Sequence, residues 1–321
     1  MRGLAAGVVL FTLLPCVYPE PGEPTFRVDV DLVTVPCVLV NKHGTVSVAD
    51  VKREDFAVRD NGVDKPVEYL WREADLPLNI GIIVDVSESQ TDFVQQHRET
   101  LAKFLEYVIR PEDRAFIVTV GEYVKLLGDP TNSATELQRQ LNLVAGDQRE
   151  GEPLGLPCPL GRVAGSDTAM YSTCGGSAIW NGVYAAATLK LRDLRGRKAL
   201  LILSDGVDTG SKHSLEDAVR AVQQVNAVVY AIKYPAGKLV NMTRGLERLS
   251  AETGGLEFPS AKTDAREVFA IIENELRNQY VLGFRPERTG TAQVFHKVQV
   301  FFARPDLKVR SRTGYFENGS H

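Results

Sequence analysis

Four cysteines, three methionines, two tryptophans and five histidines in 321 residues leave little soft-ligand or redox chemistry. No Cys-x-x-Cys pair occurs, and His43, His97, His213, His296 and His321 are scattered, so the spacing of a zinc site is absent. No basic run stands out and the formal net charge is −4, which argues against nucleic acid as a partner. No apolar stretch is long enough for a membrane-spanning helix. Gly-x-Ser-x-Gly is missing, and no Ser/His/Asp arrangement points to a hydrolase triad. What remains is a globular composition, 44% apolar and 24% charged, with the length of about two domains or of one domain with an insertion.

The N-terminus departs from that composition. Met1-Arg2 precedes an apolar stretch from Leu4 to Leu14, and Pro15, Pro19, Pro21 and Pro24 follow. A short positive region before a short apolar one predicts a signal peptide over residues 1–20, hence an exported protein: periplasmic, cell-surface or secreted. Leu14-Pro15-Cys16 is a poor lipoprotein signal, because Pro15 takes the small-residue position, so membrane contact is expected only if Cys16 is lipidated. Cys37 lies in an apolar run and reads as a small core residue. Cys158 and Cys174 share one irregular stretch, 145–176, rich in Gly and Pro; in an exported chain they are expected to form a disulfide.

Three grammars follow one another. Residues 25–73 alternate apolar and polar in strand fashion, with Asp60-Asn61-Gly62 as a hairpin signal. Residues 76–275 alternate strands and helices, which predicts a doubly wound, mostly parallel sheet, an α/β fold. Its central strand is Ile80–Val84, continuously apolar and so buried on both faces. Helices are expected near 92–109, 133–144, 177–191, 214–225, 239–252 and 265–276, and strands near 115–120, 123–127, 198–204, 227–232 and 256–258. Residues 279–316 return to a β pattern. Neither β segment is large enough to bury a core alone, so the α/β domain is expected to be inserted in, or flanked by, a small β-sandwich built from both. The alternative is two unrelated β tails.

Oxygen-bearing side chains gather where the α/β strands end. Asp85, Ser87 and Ser89 follow the first strand, Ser177 opens a helix after Gly175-Gly176, and Ser204-Asp205-Gly206 follows the fourth strand. Ligands in open α/β sheets bind just outside the carboxyl ends of the strands. Carboxylate and hydroxyl oxygens without sulfur or imidazole suit a hard cation: Mg²⁺ or Mn²⁺, with Ca²⁺ also admissible. Each piece has a bland alternative. The small polar residues after Asp85 suit a helix cap, Ser177 suits an N-cap, and Ser-Asp-Gly suits a plain turn. Glu88 and Asp208 read as solvated loop charges beside the site.

Asp85-x-Ser87-x-Ser89, Gly175-Gly176-Ser177 and Leu203-Ser204-Asp205-Gly206, in that order and on those elements, resemble the von Willebrand factor A (VWA) domain and its metal-ion-dependent adhesion site (MIDAS). Glu54-Asp55-Phe56 and Gly314-Tyr315 resemble the flanking modules of exported bacterial proteins that carry such domains. The resemblance implies direct metal ligation by Ser87, Ser89 and Ser177, where the family usually has threonine at the last of these. It implies that Asp85 acts largely through a water, and Asp205 directly or through a water. It further implies a protein-binding module, for adhesion or complex assembly, whose partner presents an Asp or Glu to the cation. In relatives the last helix can shift when ligand binds; here that helix leads straight into the second β segment. Two alternatives stand beside this reading. One is a Mg²⁺-dependent phosphohydrolase-like enzyme, which needs a second aspartate two residues after the first, where this chain has Ser87. The other is a structural domain with an empty site.

Overall fold

The structure is a computed structural model that describes residues 32–44, 50–72, 76–144, 177–235, 244–261, 264–287 and 294–317. The first part supplies four strands, β1 (Val33–Asn41), β2 (Phe56–Asp60), β3 (Val63–Lys65) and β4 (Tyr69–Arg72). Asn61 and Gly62, between β2 and β3, have φ of 47° and 86°. That left-handed pair is what a two-residue hairpin turn requires, and it explains the Asn-Gly signal.

From Leu78 the chain alternates. It runs β5 (Leu78–Asp85), α1 (Val94–Val108), β6 (Arg114–Val120), β7 (Val124–Leu126) and α2 (Ala134–Asn142), then α3 (Ile179–Ala185) and β8 (Arg197–Ser204). It continues with α4 (Leu215–Gln224), β9 (Ala227–Lys233), α5 (Gly245–Thr253), β10 (Glu257–Pro259) and α6 (Ala265–Arg277). Four strands close the chain: β11 (Tyr280–Phe284), β12 (Phe295–Phe302), β13 (Leu307–Ser311) and β14 (Gly314–Phe316).

The six-stranded sheet has the order β10-β9-β8-β5-β6-β7, parallel except for the β6–β7 pair. Every residue of β5 is buried, as a central parallel strand requires. Alternate residues serve alternate layers. Ile82, Val84, Leu201 and Leu203 pack with Phe104, Phe269 and Leu276, from α1 and α6. Ile83, Leu200 and Ile202 pack with Ile179, Val183, Val222 and Leu249, from α3, α4 and α5. The chain leaves β5 on one side to form β6 and returns on the other to form β8. The strand order therefore reverses between β5 and β8, which opens a crevice at their carboxyl ends.

The two β segments share their sheets. One sheet has the order β13-β1-β11-β4 and the other β14-β12-β2-β3, so each combines strands from both ends of the chain. β1 pairs antiparallel with β11 from Val33↔Phe284 to Cys37↔Tyr280, and β12 with β2 from Val298↔Asp60 to Phe302↔Phe56. Val35, Leu39, Phe56, Val58, Leu282, Phe284 and Tyr315 bury one common core. The α/β region is thus flanked by a small β-sandwich.

Some elements differ from the sequence expectation. The helix expected from Ser177 begins at Ile179, and its second half, Ala186–Leu191, widens to π-helical turns. A six-residue 3-10 turn, Glu88–Phe93, precedes α1. β14 carries only three residues, too few for a periodic pattern. His97 is buried and packs edge-on to Tyr234 at 4.3 Å; burial pushes its pKa down to about 4, so it is a neutral core residue. The expected signal peptide, Cys16, and the Cys158–Cys174 pair lie outside the described residues. Among the described residues no helix is long and apolar enough to cross a membrane.

Cys37 is free and buried, and burial pushes its thiol up to about 12. The thiolate is the reactive form. In a maleimide-labelling experiment read by peptide mapping, the Cys37 peptide is expected to stay unmodified at pH 8 in the native protein and to label fully in denaturant. Labelling at equal rates in both states would contradict this burial.

Candidate metal centre

Asp85 ends β5 with its side chain fully buried, at the crevice where the strand order reverses. Its Oδ1 accepts from the Ser87 hydroxyl at 2.5 Å and the Ser87 N–H at 3.0 Å. Its Oδ2 accepts from the hydroxyls of Ser204 at 2.6 Å and Ser177 at 3.1 Å. Burial raises the Asp85 pKa to about 6; the hydroxyls of Ser204 and Ser87 oppose that rise and the charge of Asp205 adds to it. Asp205 is 1% exposed. Its Oδ1 accepts from the Val207 N–H at 2.9 Å, and its Oδ2 from the Ser89 hydroxyl at 2.8 Å and the Gln90 amide at 2.9 Å.

Backbone bonds fix the loops that carry these groups. The Val86 N–H donates to Val120 O, and the N–H groups of Thr209 and Gly210 both donate to Ser177 O. Gly206 has φ +80°, a left-handed turn that lets its N–H reach the Ser204 hydroxyl at 2.9 Å. Asp85, Ser87, Ser89, Ser177 and Asp205, from three separate loops, thus belong to one cluster. Ser89 is exposed and forms its open side, while the other four are buried.

The proton count in this cluster matters. A serine hydroxyl has one proton and two lone pairs. Ser87 gives its proton to Asp85, and Ser89 gives its proton to Asp205. Yet the two hydroxyl oxygens lie 3.3 Å apart. With both protons already committed, lone pairs face lone pairs across that gap. The donor set is therefore two buried carboxylates and three hydroxyls with free lone pairs, all hard oxygen, and its polar partners are hydroxyls, an amide and N–H groups. It fits a divalent cation. Among the described residues no cluster of three or more His, Cys, Asp or Glu exists to compete for one.

The capping alternatives do not hold. Ser87 is the N-cap of the 3-10 turn but makes no side-chain cap. The N-cap of α3 is Ala178, one residue past Ser177. Asp208 is not a solvated charge: Oδ1 accepts from the Trp180 N–H at 3.1 Å and the Ser211 hydroxyl at 2.5 Å, so it anchors the first turn of α3 beside the site. Burial raises its pKa against these bonds. The side chain of Glu88 lies outside the described residues. Two participants are not among the expected ligands. Ser204 points into the cluster only because β8 pairs beside β5, and Gln90 only because the 3-10 turn folds it back under Asp205.

No family model and no curated protein matches the sequence. Solved structures match at low identity. Proximal thread matrix protein 1 from the mussel byssus aligns with TM-score 0.46 and 12% identity over 76% of this chain and 50% of its own, so the chain spans half of that protein's length. A second structure of the same protein, described as having a zinc-occupied MIDAS motif, aligns with TM-score 0.45 and 14% identity over 66% of this chain and 48% of its own. The conserved hypothetical protein BatB from Bacteroides thetaiotaomicron aligns with TM-score 0.44 and 10% identity over 62% of this chain and 98% of its own. The chain's own strand order and register set its fold: a six-stranded, mostly parallel sheet between helical layers, the architecture that the von Willebrand factor A resemblance implies.

Proposed function

We propose that this protein is an exported, metal-dependent protein-binding module for adhesion or complex assembly. In this reading Ser87, Ser89 and Ser177 hold a divalent cation, Mg²⁺ or Mn²⁺, through their hydroxyl lone pairs. Asp85 and Asp205 supply the balancing charge from behind. Two carboxylates roughly neutralise a divalent ion, and a bound ion then offers an open coordination position to an Asp or Glu of a protein partner. The observation that carries this reading is the 3.3 Å approach of the Ser87 and Ser89 oxygens, each with its proton committed to a different buried carboxylate. Ser89 is the exposed member of the set, which supports an ion that a partner could reach from solvent. We further propose that residues 76–275 act as one domain inserted into a β module made of 25–73 and 279–316. An acid–base carboxylate two residues after Asp85 is what a phosphohydrolase would need; the Ser87 hydroxyl there donates to Asp85, which supports binding over catalysis.

Calorimetric titration of the purified protein with Mg²⁺ and Mn²⁺, beside Asp85→Ala and Asp205→Ala, tests this. One-to-one binding by the wild type, lost in both variants while their thermal transitions persist, is the expected result. A well-folded wild type that binds neither ion, or variants that bind like it, would sink the metal reading.

A further inference from the structure

Gln90 is fully buried directly behind the Asp85-x-Ser87-x-Ser89 stretch. Its Nε2 donates to Asp205 Oδ2 at 2.9 Å and to the Ser89 carbonyl at 3.3 Å. Both partners are acceptors only, so the NH₂ end of the amide must face them. The other end, Oε1, is buried without a partner. A buried polar atom left unpaired calls for an explanation. Here the amide gives up satisfaction of its oxygen in order to hold one carboxylate oxygen.

The effect on Asp205 follows from lone-pair counting. Oδ2 has two lone pairs, and Ser89 and Gln90 occupy both. Oδ1 is tied to the Val207 N–H. The carboxylate thus faces the back of the Ser89 hydroxyl. Without Gln90, one lone pair of Oδ2 is released and Ser89 is left as its one side-chain donor.

We propose that Gln90 is a positioning residue that keeps Asp205 behind Ser89 as an outer carboxylate rather than a direct ligand. This rests on the metal reading above and deepens it. A cation held by three neutral hydroxyls, with its balancing charge one atom further back, keeps more of its attraction for a partner's carboxylate. Gln90 therefore sets the balance between tight ion binding and capture of an external acid.

The test uses Mn²⁺ alone as the probe, on full-length wild type, Gln90→Met and Gln90→Asn. Methionine keeps the length and removes the donor; asparagine is one methylene too short to reach Asp205. Calorimetry reads the Mn²⁺ affinity, and water-proton relaxation reads the number of exchangeable waters on the bound ion. Both variants are expected to bind Mn²⁺ at least fivefold more tightly than wild type, with about one water fewer, as Asp205 turns onto the ion. Adding Asp205→Asn to Gln90→Met is expected to abolish the gain. Unchanged or weaker binding with wild-type relaxation in the variants overturns the role of Gln90 and leaves the metal site standing. Absence of Mn²⁺ binding in wild type overturns both.

Discussion

Asp113→Ala is expected to destabilise the protein by about 3–5 kcal/mol, the usual result of leaving a buried charge without its partner. Asp113 is fully buried just before β6. Its Oδ1 accepts from the Leu78 N–H at 2.8 Å, and its Oδ2 from the Arg110 N–H at 3.0 Å. Arg277, at the end of α6, forms a two-pronged ion pair with both oxygens and also reaches Val108 O at 3.1 Å. One carboxylate thus joins the start of β5, the end of α1 and the end of α6. Its removal strands the Arg277 guanidinium, 9% exposed, and two backbone donors. Arg277→Met is expected to cost less, because Asp113 keeps two N–H donors and can take up a proton. Urea unfolding of both variants decides: a smaller loss for Asp113→Ala than for Arg277→Met would contradict this assignment.

The same pair fixes a sign with pH. Burial pushes the Asp113 pKa up, but the Arg277 hydrogen bond, the two N–H groups and the Arg277 charge together hold it below the ordinary value. The folded state then binds fewer protons than the unfolded one near that value. This contribution is complete above the ordinary aspartate range and is lost as the pH falls through the depressed folded value. The gap between wild type and Asp113→Ala is therefore expected to be full at pH 7 and to narrow below about pH 4.

The parallel sheet was legible because burial on both faces leaves a continuous apolar run, as in Ile80–Val84, and because strand and helix periods differ. The hairpin at Asn61-Gly62 was legible because few residues tolerate its backbone. Asp85, Ser87, Ser89, Ser177 and Asp205 were legible as separate pieces, since small oxygen-bearing residues at strand ends are visible in one dimension. Their convergence was expected from the strand ends and the family resemblance, and the strand order that places β8 beside β5 comes from the structure. The role of Gln90 and the bond of Ser204 to Asp85 were not: each partner lies over a hundred residues away in sequence, and nothing local marks it. Asp208 reads as a loop charge in sequence because its partners, the Trp180 N–H in the first turn of α3 and the Ser211 hydroxyl, are set by how the loop folds back onto α3. Asp113, Glu275 and Arg277 are buried charges that no local pattern in the sequence marks. Asp113 and Arg277 are buried against each other within the α/β region, and Arg310 of β13 reaches Glu275 from the β-sandwich.

Arg310→Met is expected to lower stability by about 3 kcal/mol at pH 7.5 and by clearly less at pH 5. Arg310, on β13, forms an ion pair with Glu275 of α6 and donates from Nε to Gly254 O at 3.2 Å. Glu275 is fully buried and also accepts from the Tyr230 hydroxyl of β9 at 2.9 Å. Burial raises the Glu275 pKa, against the charge and hydrogen bond of Arg310 and the Tyr230 hydroxyl. Without Arg310 only the hydroxyl opposes burial, and the pKa climbs further. A carboxyl with a raised folded pKa binds more protons folded than unfolded, so its contribution to stability falls as the pH rises, by up to about 1.4 kcal/mol per unit, until the folded value is passed. Urea unfolding at pH 5, 6, 7 and 8 should therefore show a deficit that grows with pH; a constant deficit would mean that Arg310 acts through packing alone. The consequence reaches the last helix. The Leu276 carbonyl accepts from Arg197, Arg277 grips Asp113, and Glu275 grips the β-sandwich through Arg310. All three restraints sit at the end of α6 far from Asp85 and Asp205. A shift of α6, which the family resemblance implies, would have to break all three together, or else bend the helix above them and leave the sandwich unmoved.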